Sequence, residues 1–196
     1  MRAVFAAPAA ALAVLAVLWN AGMCQHNDGK LPATAPALPD VGHSLLPDLS
    51  ASSGLLTNAP FVAALAALVL TGAWREPGLF ESWLLLALAR PFFFGSTTLP
   101  EIKNACNVTF LQRLVNGGCN DKIYSGHVCN MLTILTFLVR GGHVGLAFAI
   151  ASAVLYSLLV IATRGHYSVD VLVAWLAVAL VLSHTDTIVR FTAWTR

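Results

Sequence analysis

The sequence predicts an all-α, polytopic membrane protein that folds as a six-transmembrane-helix bundle. Of its 196 residues, 58% are hydrophobic and only 10% are charged, and the mean hydropathy is +0.76. Soluble domains carry roughly 25% charged residues, so this composition excludes a soluble globular protein, and the high apolar content excludes a disordered one. The net charge of +2 offers no electrostatic footprint for nucleic acid.

Six apolar segments account for the bundle, because a helix needs about 20 mostly apolar residues to cross a bilayer. The predicted spans are 3–23, 55–74, 79–95, 126–139, 144–163 and 166–182. We divide the chain into a first transmembrane helix (1–23), a lumenal segment (24–54) and a catalytic helical core (55–196). The first helix has an alternative interpretation as a signal peptide or signal anchor, although no clear cleavage site follows it.

The parity of six spans places both long polar segments, 24–54 and 96–124, on the same face as the turn at 164–166. The opposite face holds the termini and has the higher density of basic residues, which favours cytoplasmic termini. Asn107 begins a glycosylation sequon on the lumenal face. Cys106 and Cys119 lie on that face too, where they either form a disulfide or remain free thiols.

The first polar cluster stands at the entry to the fourth span. Ser125 is suited to cap the helix, which puts His127 in the first helical turn. Free N–H groups and the helix dipole make that place receptive to an anion such as phosphate. The alternative is a polar helix start with a hydrogen-bonded histidine and no function.

The second cluster stands at the entry to the sixth span. His166 and Asp170 are four residues apart and therefore share a helical face. A carboxylate bonded to one imidazole nitrogen leaves the other nucleophilic and stabilises positive charge on the ring. Arg164 lies beside them and is suited to hold a phosphate oxygen. The alternative is an interfacial pair that only orders the helix end.

Two further elements lie on the same face. Arg90 falls inside the third span, ahead of Thr97-Thr98-Leu99-Pro100, and needs a partner there. A structural ion pair or a snorkelling side chain is the alternative to a phosphate ligand. Residues 37–40, Ala-Leu-Pro-Asp, look by themselves like a loop turn.

Together, two histidines, an aspartate beside one of them and two arginines suit phosphoryl transfer through a covalent phospho-histidine. One histidine attacks phosphorus, and the other protonates the departing alkoxide. The arginines neutralise the phosphate oxygens as charge redistributes. The remaining histidines lack ligand spacing, so we predict no metal site.

The motifs resemble those of the sphingomyelin synthase-like branch of the type 2 phosphatidic acid phosphatase superfamily. That family's pattern reads C-G-D-x3-S-G-H followed by H-Y-T-x-D. The matching positions here are Cys119, Asp121, Ser125, Gly126, His127, His166, Tyr167 and Asp170. Asn120 and Ser168 depart from the pattern, while Arg90 with 97–100 and the segment 38–40 echo two further family elements.

The resemblance implies a membrane enzyme that moves phospho-head groups between lipids. It makes His166 the nucleophile supported by Asp170, and His127 the group that protonates the diacylglycerol leaving group. Substrate or phosphate binding is expected at Arg90, Arg164, Ser125 and Asp121. No cofactor is implied, and the active site is expected to face the lumen or exterior of the Golgi, endoplasmic reticulum or plasma membrane.

We expect the enzyme to transfer phosphocholine from phosphatidylcholine to ceramide or diacylglycerol within a lipid bilayer. No nucleic-acid partner is expected, and the sequence is compatible with a homo-oligomer. Other short stretches resemble plant phosphatidylcholine:diacylglycerol cholinephosphotransferases and inositol phosphorylceramide synthases, which leaves the head group open. A lipid phosphate phosphatase is the nearest alternative, although position 83 is Trp where that family's motif has Lys. A non-catalytic lipid-binding bundle, or haem held by the two histidines, is a further alternative.

Overall fold

The computed structural model describes residues 2–28, 30–31, 35–102, 120 and 122–187. Within these ranges the chain is helical and has no strand, so the all-α prediction is confirmed. The described α-helices are α1 (Arg2–Asn27), α2 (Val41–Leu45), α3 (Ser53–Thr71), α4 (Leu79–Ser96), α5 (Gly126–Arg140), α6 (Leu146–Ala162) and α7 (Ser168–Ser183). The predictions for Cys106, Asn107, Cys119 and Asp121 concern residues outside the described ranges.

Six of these helices correspond to the six predicted apolar segments, with one correction at the last. The sequence predicts a helix from His166, whereas α7 begins at Ser168. Tyr167 is the N-cap residue, and its backbone N–H donates to Asp170 Oδ2 at 2.8 Å. This contact closes the helix start and leaves His166 in the preceding turn. The short α2 was not predicted, since five residues show no periodicity.

The centre of the bundle is α5, which packs against α3, α4, α6 and α7. Most of its side chains are buried, and Phe137 is fully so. On the outer faces large apolar side chains are exposed, for example Leu70 and Leu176. In a soluble protein so many exposed apolar side chains would be costly, whereas a bilayer accommodates them.

The first helix packs along α4. Asn20 and Asn27 of α1 donate hydrogen bonds to the carbonyls of Ala87 and Phe94 in α4. The separation in sequence is 67 residues for both pairs, so the two helices run parallel. This agrees with the parity of the predicted spans, in which the first and third cross in the same direction.

Length and composition identify one membrane-span candidate in the described part of the chain. It is Ser50–Thr71, whose mean hydropathy is 1.8. The helices α5, α6 and α7 are also apolar, but they are shorter. The six-span arrangement therefore stays a prediction.

Candidate active site

A cavity of about 620 Å³ opens between α1, α3, α4, α5 and the turn before α7. Its wall brings together three residues that the sequence singled out, Arg90, His127 and His166. They come from three separate parts of the chain. The fold therefore gathers the predicted chemistry around one space large enough for a phosphorylated head group.

The imidazole of His166 is 7% exposed and is held through one nitrogen. Its Nδ1 lies 2.8 Å from the Lys122 carbonyl oxygen and 3.3 Å from Asp170 Oδ2. Both oxygens are acceptors, so Nδ1 carries the proton and donates to them. In the neutral ring the lone pair then resides on Nε2, the nitrogen that a nucleophile uses.

Asp170 is fully buried and connects the two histidine-bearing segments. Its Oδ2 accepts from His166 Nδ1 and from the backbone N–H of Tyr167. Its backbone carbonyl accepts from the N–H of Ser125 at 3.2 Å. The predicted His–Asp pair is therefore formed, and the same residue ties the start of α7 to the start of α5.

His127 lies in the first turn of α5, where the sequence placed it. The N-cap is Ser125, whose Oγ accepts from the backbone N–H of Val128, so the predicted cap is confirmed. The His127 ring centroid lies 6.2 Å from that of His166, with an angle of 66° between the planes. The two imidazoles therefore lie edge to face on the same cavity wall. Ser125 itself is fully buried and is not among the residues that line the cavity.

Arg90 lies against the same helix start. A Cβ placed on Gly126 would be 3.5 Å from Arg90 Nε, so the guanidinium packs over the first turn of α5. Its Nη1 donates to Asn20 Oδ1 at 3.3 Å, and its Cζ lies 5.0 Å from the centre of the Phe94 ring. Positive charge therefore stands next to the helix N-terminus that favours an anion.

Lys122 is a second cation on the cavity wall, and the sequence analysis did not single it out. Its Nζ lies 3.4 Å from Glu101 Oε1, and its carbonyl accepts from His166. The available signal was its position inside the first histidine motif. Periodicity does not reveal it, because residue 122 precedes the helix.

Arg164, like Ser125, was predicted to bind phosphate but does not line the cavity. Its Nη2 donates to the carbonyl oxygens of His43 and Leu46, at 2.9 and 3.1 Å. Both acceptors belong to the end of α2. The backbone of Arg164 is in the left-handed region, with φ of 58°. Its guanidinium therefore ties residues 43–46 to the turn before α7.

Residues 38–46 and the turn 161–168 together form what we call the clasp. Asp40, placed in a simple loop turn by the sequence, caps two helices here. Its Oδ1 accepts from His43 N–H and from Ser168 Oγ, while its Oδ2 accepts from Ser168 N–H. Burial alone would raise the pKa of Asp40, but these hydrogen bonds outweigh it and hold that pKa below its ordinary value.

The clasp also reaches the backbone of His166. Nε2 of His43 lies 3.0 Å from the His166 carbonyl oxygen and donates to it. The Tyr167 hydroxyl accepts from Leu38 N–H and donates to the Pro100 carbonyl. Gly42 approaches so closely that a Cβ there would lie 2.6 Å from Ile161 Cγ2 and would also clash with Ser168 Oγ.

This arrangement supplies an oriented imidazole, a second histidine edge to face with it, and cations beside a helix N-terminus. Such a set can cleave and re-form a phosphate ester without a metal. Across the described ranges, no group of three or more His, Cys, Asp or Glu side chains is placed to hold a metal ion.

Comparisons with known proteins agree with this chemistry. The chain is 29% identical over 211 residues to a phosphatidylinositol:ceramide inositolphosphotransferase of Oryza sativa subsp. japonica, covering 89% of this chain and 64% of the relative. It is 26% identical over 212 residues to phosphatidylinositol:ceramide inositolphosphotransferase 3 of Arabidopsis thaliana, covering 89% of this chain and 72% of the relative. The chain thus spans less than two thirds of the length of the rice relative.

The family comparison falls on the part of the chain that carries both histidine motifs. Residues 118–188 match the family described as PAP2 superfamily C-terminal. That range includes His127, His166 and Asp170. The relatives of this chain named above are lipid head-group phosphotransferases. The match at residues 118–188 confirms the resemblance to sphingomyelin synthase-like proteins that the motifs indicated.

Proposed function

We propose that the protein is a membrane-embedded lipid head-group phosphotransferase that works through a phospho-histidine. The observation that carries the proposal is the pair of acceptors on His166 Nδ1, the Lys122 carbonyl and Asp170 Oδ2. They hold the proton on that nitrogen and leave Nε2 as the nucleophile on the cavity wall.

In the first half of the reaction, His166 Nε2 attacks the phosphorus of the donor phospholipid. A P–N bond forms, and the bond from phosphorus to the diacylglycerol oxygen breaks. The departing oxygen takes a proton from His127, which enters this step protonated. Asp170 stabilises the positive charge on the His166 ring, while Arg90 and Lys122 neutralise the non-bridging phosphate oxygens.

In the second half, the hydroxyl of an acceptor lipid attacks the same phosphorus. His127, now neutral, takes the hydroxyl proton. The P–N bond breaks and returns the electron pair to Nε2. The head-group phosphate ends on the acceptor, and both histidines regain their starting protonation states, so no cofactor is consumed.

For the head group we propose inositol phosphate first, with ceramide as acceptor, following the printed names of the relatives. The described lining of the cavity supports a polyol, since it offers Asn58, Asn130 and Thr163 beside the two cations and no carboxylate. Phosphocholine, which the motifs alone led us to expect, is the second candidate. The rings of Phe61, Trp83 and Tyr124 line the cavity, and aromatic faces bind quaternary ammonium groups.

We further propose that all six long helices cross an endomembrane, with the cavity facing the lumen or exterior. The exposed apolar side chains on their outer faces support this arrangement. In this topology the clasp and the long polar segments lie on the lumenal side, where the sequon at Asn107 is accessible to glycosylation.

The first test is a transfer assay on purified protein in detergent micelles. Phosphatidylinositol and phosphatidylcholine, each labelled in the phosphate, are offered with ceramide and diacylglycerol, and the products are separated by chromatography. We expect labelled inositol phosphorylceramide. Labelled sphingomyelin would assign the phosphocholine alternative. A parallel reaction contains labelled phosphatidic acid, and release of free phosphate there, with no transfer in the first reaction, would make the protein a phosphatase.

The mechanism is tested by His166→Ala with His143→Ala as its matched control. His143 lies in the turn between α5 and α6 and does not line the cavity. His166→Ala should abolish transfer and the acid-labile protein-bound label, while His143→Ala should keep both. Full transfer by His166→Ala would rule out the phospho-histidine.

A further inference from the structure

Asn20 is a polar side chain in the C-terminal third of an apolar helix. It lies in α1, is half-buried, and lines the cavity. Its amide nitrogen donates to two carbonyl oxygens, that of Ala16 at 2.8 Å in its own helix and that of Ala87 at 2.7 Å in α4. A polar side chain in a membrane helix is costly unless it is hydrogen-bonded, and it commonly marks a functional site.

The Ala87 carbonyl needs an outside donor because of Pro91. In an α-helix the carbonyl of residue 87 accepts from the N–H of residue 91. Proline has no N–H, so Pro91, inside α4, leaves that carbonyl without its helical partner. In membrane helices a neighbouring helix commonly supplies the missing donor. Asn20 is that donor.

Both amide protons are donated to carbonyl oxygens, so the amide oxygen is the part of the side chain that can bond a further group. Asn20 Oδ1 accepts from Arg90 Nη1 at 3.3 Å. Arg90 directly precedes Pro91, so the cationic residue is adjacent to the proline that interrupts the hydrogen-bond pattern of α4. The amide therefore fixes the height and orientation of the guanidinium over Gly126.

We propose that Asn20 is a positioning residue: it satisfies the carbonyl freed by Pro91 and aims Arg90 at the phosphate. The inference rests on the proposed function, in which Arg90 neutralises the phosphate oxygens. It makes α1 part of the reaction centre, in addition to any role as a membrane anchor.

The chain offers a matched control in Asn27, on the same face of α1. Asn27 donates to the Phe94 carbonyl, which lies in the last turn of α4 and has no helical donor. Its Oδ1 accepts from Lys30 Nζ at 2.7 Å instead of from an arginine. Asn20→Leu and Asn27→Leu each remove one side-chain bond to an α4 carbonyl, but only the first touches Arg90.

The experiment is a double-mutant cycle in the transfer assay. Asn20→Leu should lower kcat/KM by about 10- to 100-fold, the range for losing a hydrogen bond to a charged group. Asn27→Leu should lower kcat/KM by less than about threefold, because its bond to the Phe94 carbonyl joins α1 to α4 and does not involve the phosphate. In an Arg90→Lys background, Asn20→Leu should cost less than about twofold more, since its target has already changed.

A second measurement does not need transferase activity. Orthovanadate, a phosphate analogue, should raise the Tm of wild type and of Asn27→Leu but not of Asn20→Leu. If vanadate behaves this way while no lipid product forms, the proposed function fails and the positioning role stands. Equal losses for the two asparagine variants, or additive losses in the cycle, would show that Asn20 only joins α1 to α4 and would overturn the proposal.

Discussion

The cavity and the clasp are both polar, and both adjoin the start of α7, but their polar side chains differ in what they face. In the clasp, side chains meet backbone partners: Arg164 bonds two carbonyls and Asp40 caps two helix starts. On the cavity side, Arg90 and His127 border an open volume of about 620 Å³. One region closes on itself, and the other leaves room for a ligand.

Arg90 and Arg164 differ in the helix end that each guanidinium contacts. By sequence both stand beside a motif, and both were expected to hold phosphate. Arg164 adjoins the C-terminal end of α2, where helix carbonyls lack donors, and these carbonyls take its N–H groups. Arg90 instead reaches the N-terminal end of α5, where the backbone offers N–H groups that repel a cation and attract an anion. The polarity of the nearer helix end separates the two roles.

The largest effect should come from breaking the cavity side. Arg90→Gln should lower kcat/KM by roughly 10²- to 10³-fold, the range for removing a group that stabilises developing charge. Thermal unfolding followed by tryptophan fluorescence should show a smaller change than for the clasp variants below. If transfer persists at the wild-type rate, Arg90 does not act on the phosphate.

The next effect should come from the clasp side. Arg164→Gln removes charged hydrogen bonds to two carbonyls and should destabilise the fold by about 3 kcal/mol. The KM for the donor lipid should stay unchanged in the folded fraction. Arg75→Gln is the control, since Arg75 lies over the exposed Trp74 ring at the other end of the bundle. A raised donor KM without loss of Tm would restore Arg164 as a phosphate ligand.

Gly42→Ala should have a somewhat smaller effect. The added methyl group meets Ile161 and Ser168, so α2 must shift, which typically costs about 2 kcal/mol. Gly22→Ala serves as the comparison, because a Cβ there meets nothing within 4 Å. The Tm of the two variants in the same detergent checks this, and equal Tm values would contradict the tight approach of the clasp.

The smallest effect concerns pH. The folded-state pKa of Asp40 lies below its ordinary value of 3.8, so its ionised form stabilises the fold above that pH. This stabilisation should be lost as pH falls through the unfolded value toward the folded one. Tm measured from pH 6 to pH 3 should therefore fall less steeply for Asp40→Asn than for wild type. Parallel curves would mean that Asp40 does not titrate in the clasp.

Much of the fold was predictable because apolar segments signal helices directly. All six predicted segments appear as helices, and the ends of α4 and α5 differ from the predicted ends by one residue. The start of α7 was misplaced, since a side-chain cap on Tyr167 N–H overrides the apolar pattern. The cap at Ser125 was predictable because that preference is local in sequence.

The sequence by itself determined the residue types and their spacing: the His166–Asp170 pair, a capped helix start before His127, and an arginine within an apolar helix. Only the tertiary structure decided which cation faces the cavity, because that depends on which carbonyls lie near each guanidinium. It also decided that Asn20 donates to the Ala87 carbonyl, 67 residues away in sequence, which Pro91 leaves without a helical donor. Hydrogen-bond partners of this kind are set by helix packing, and no local pattern records them.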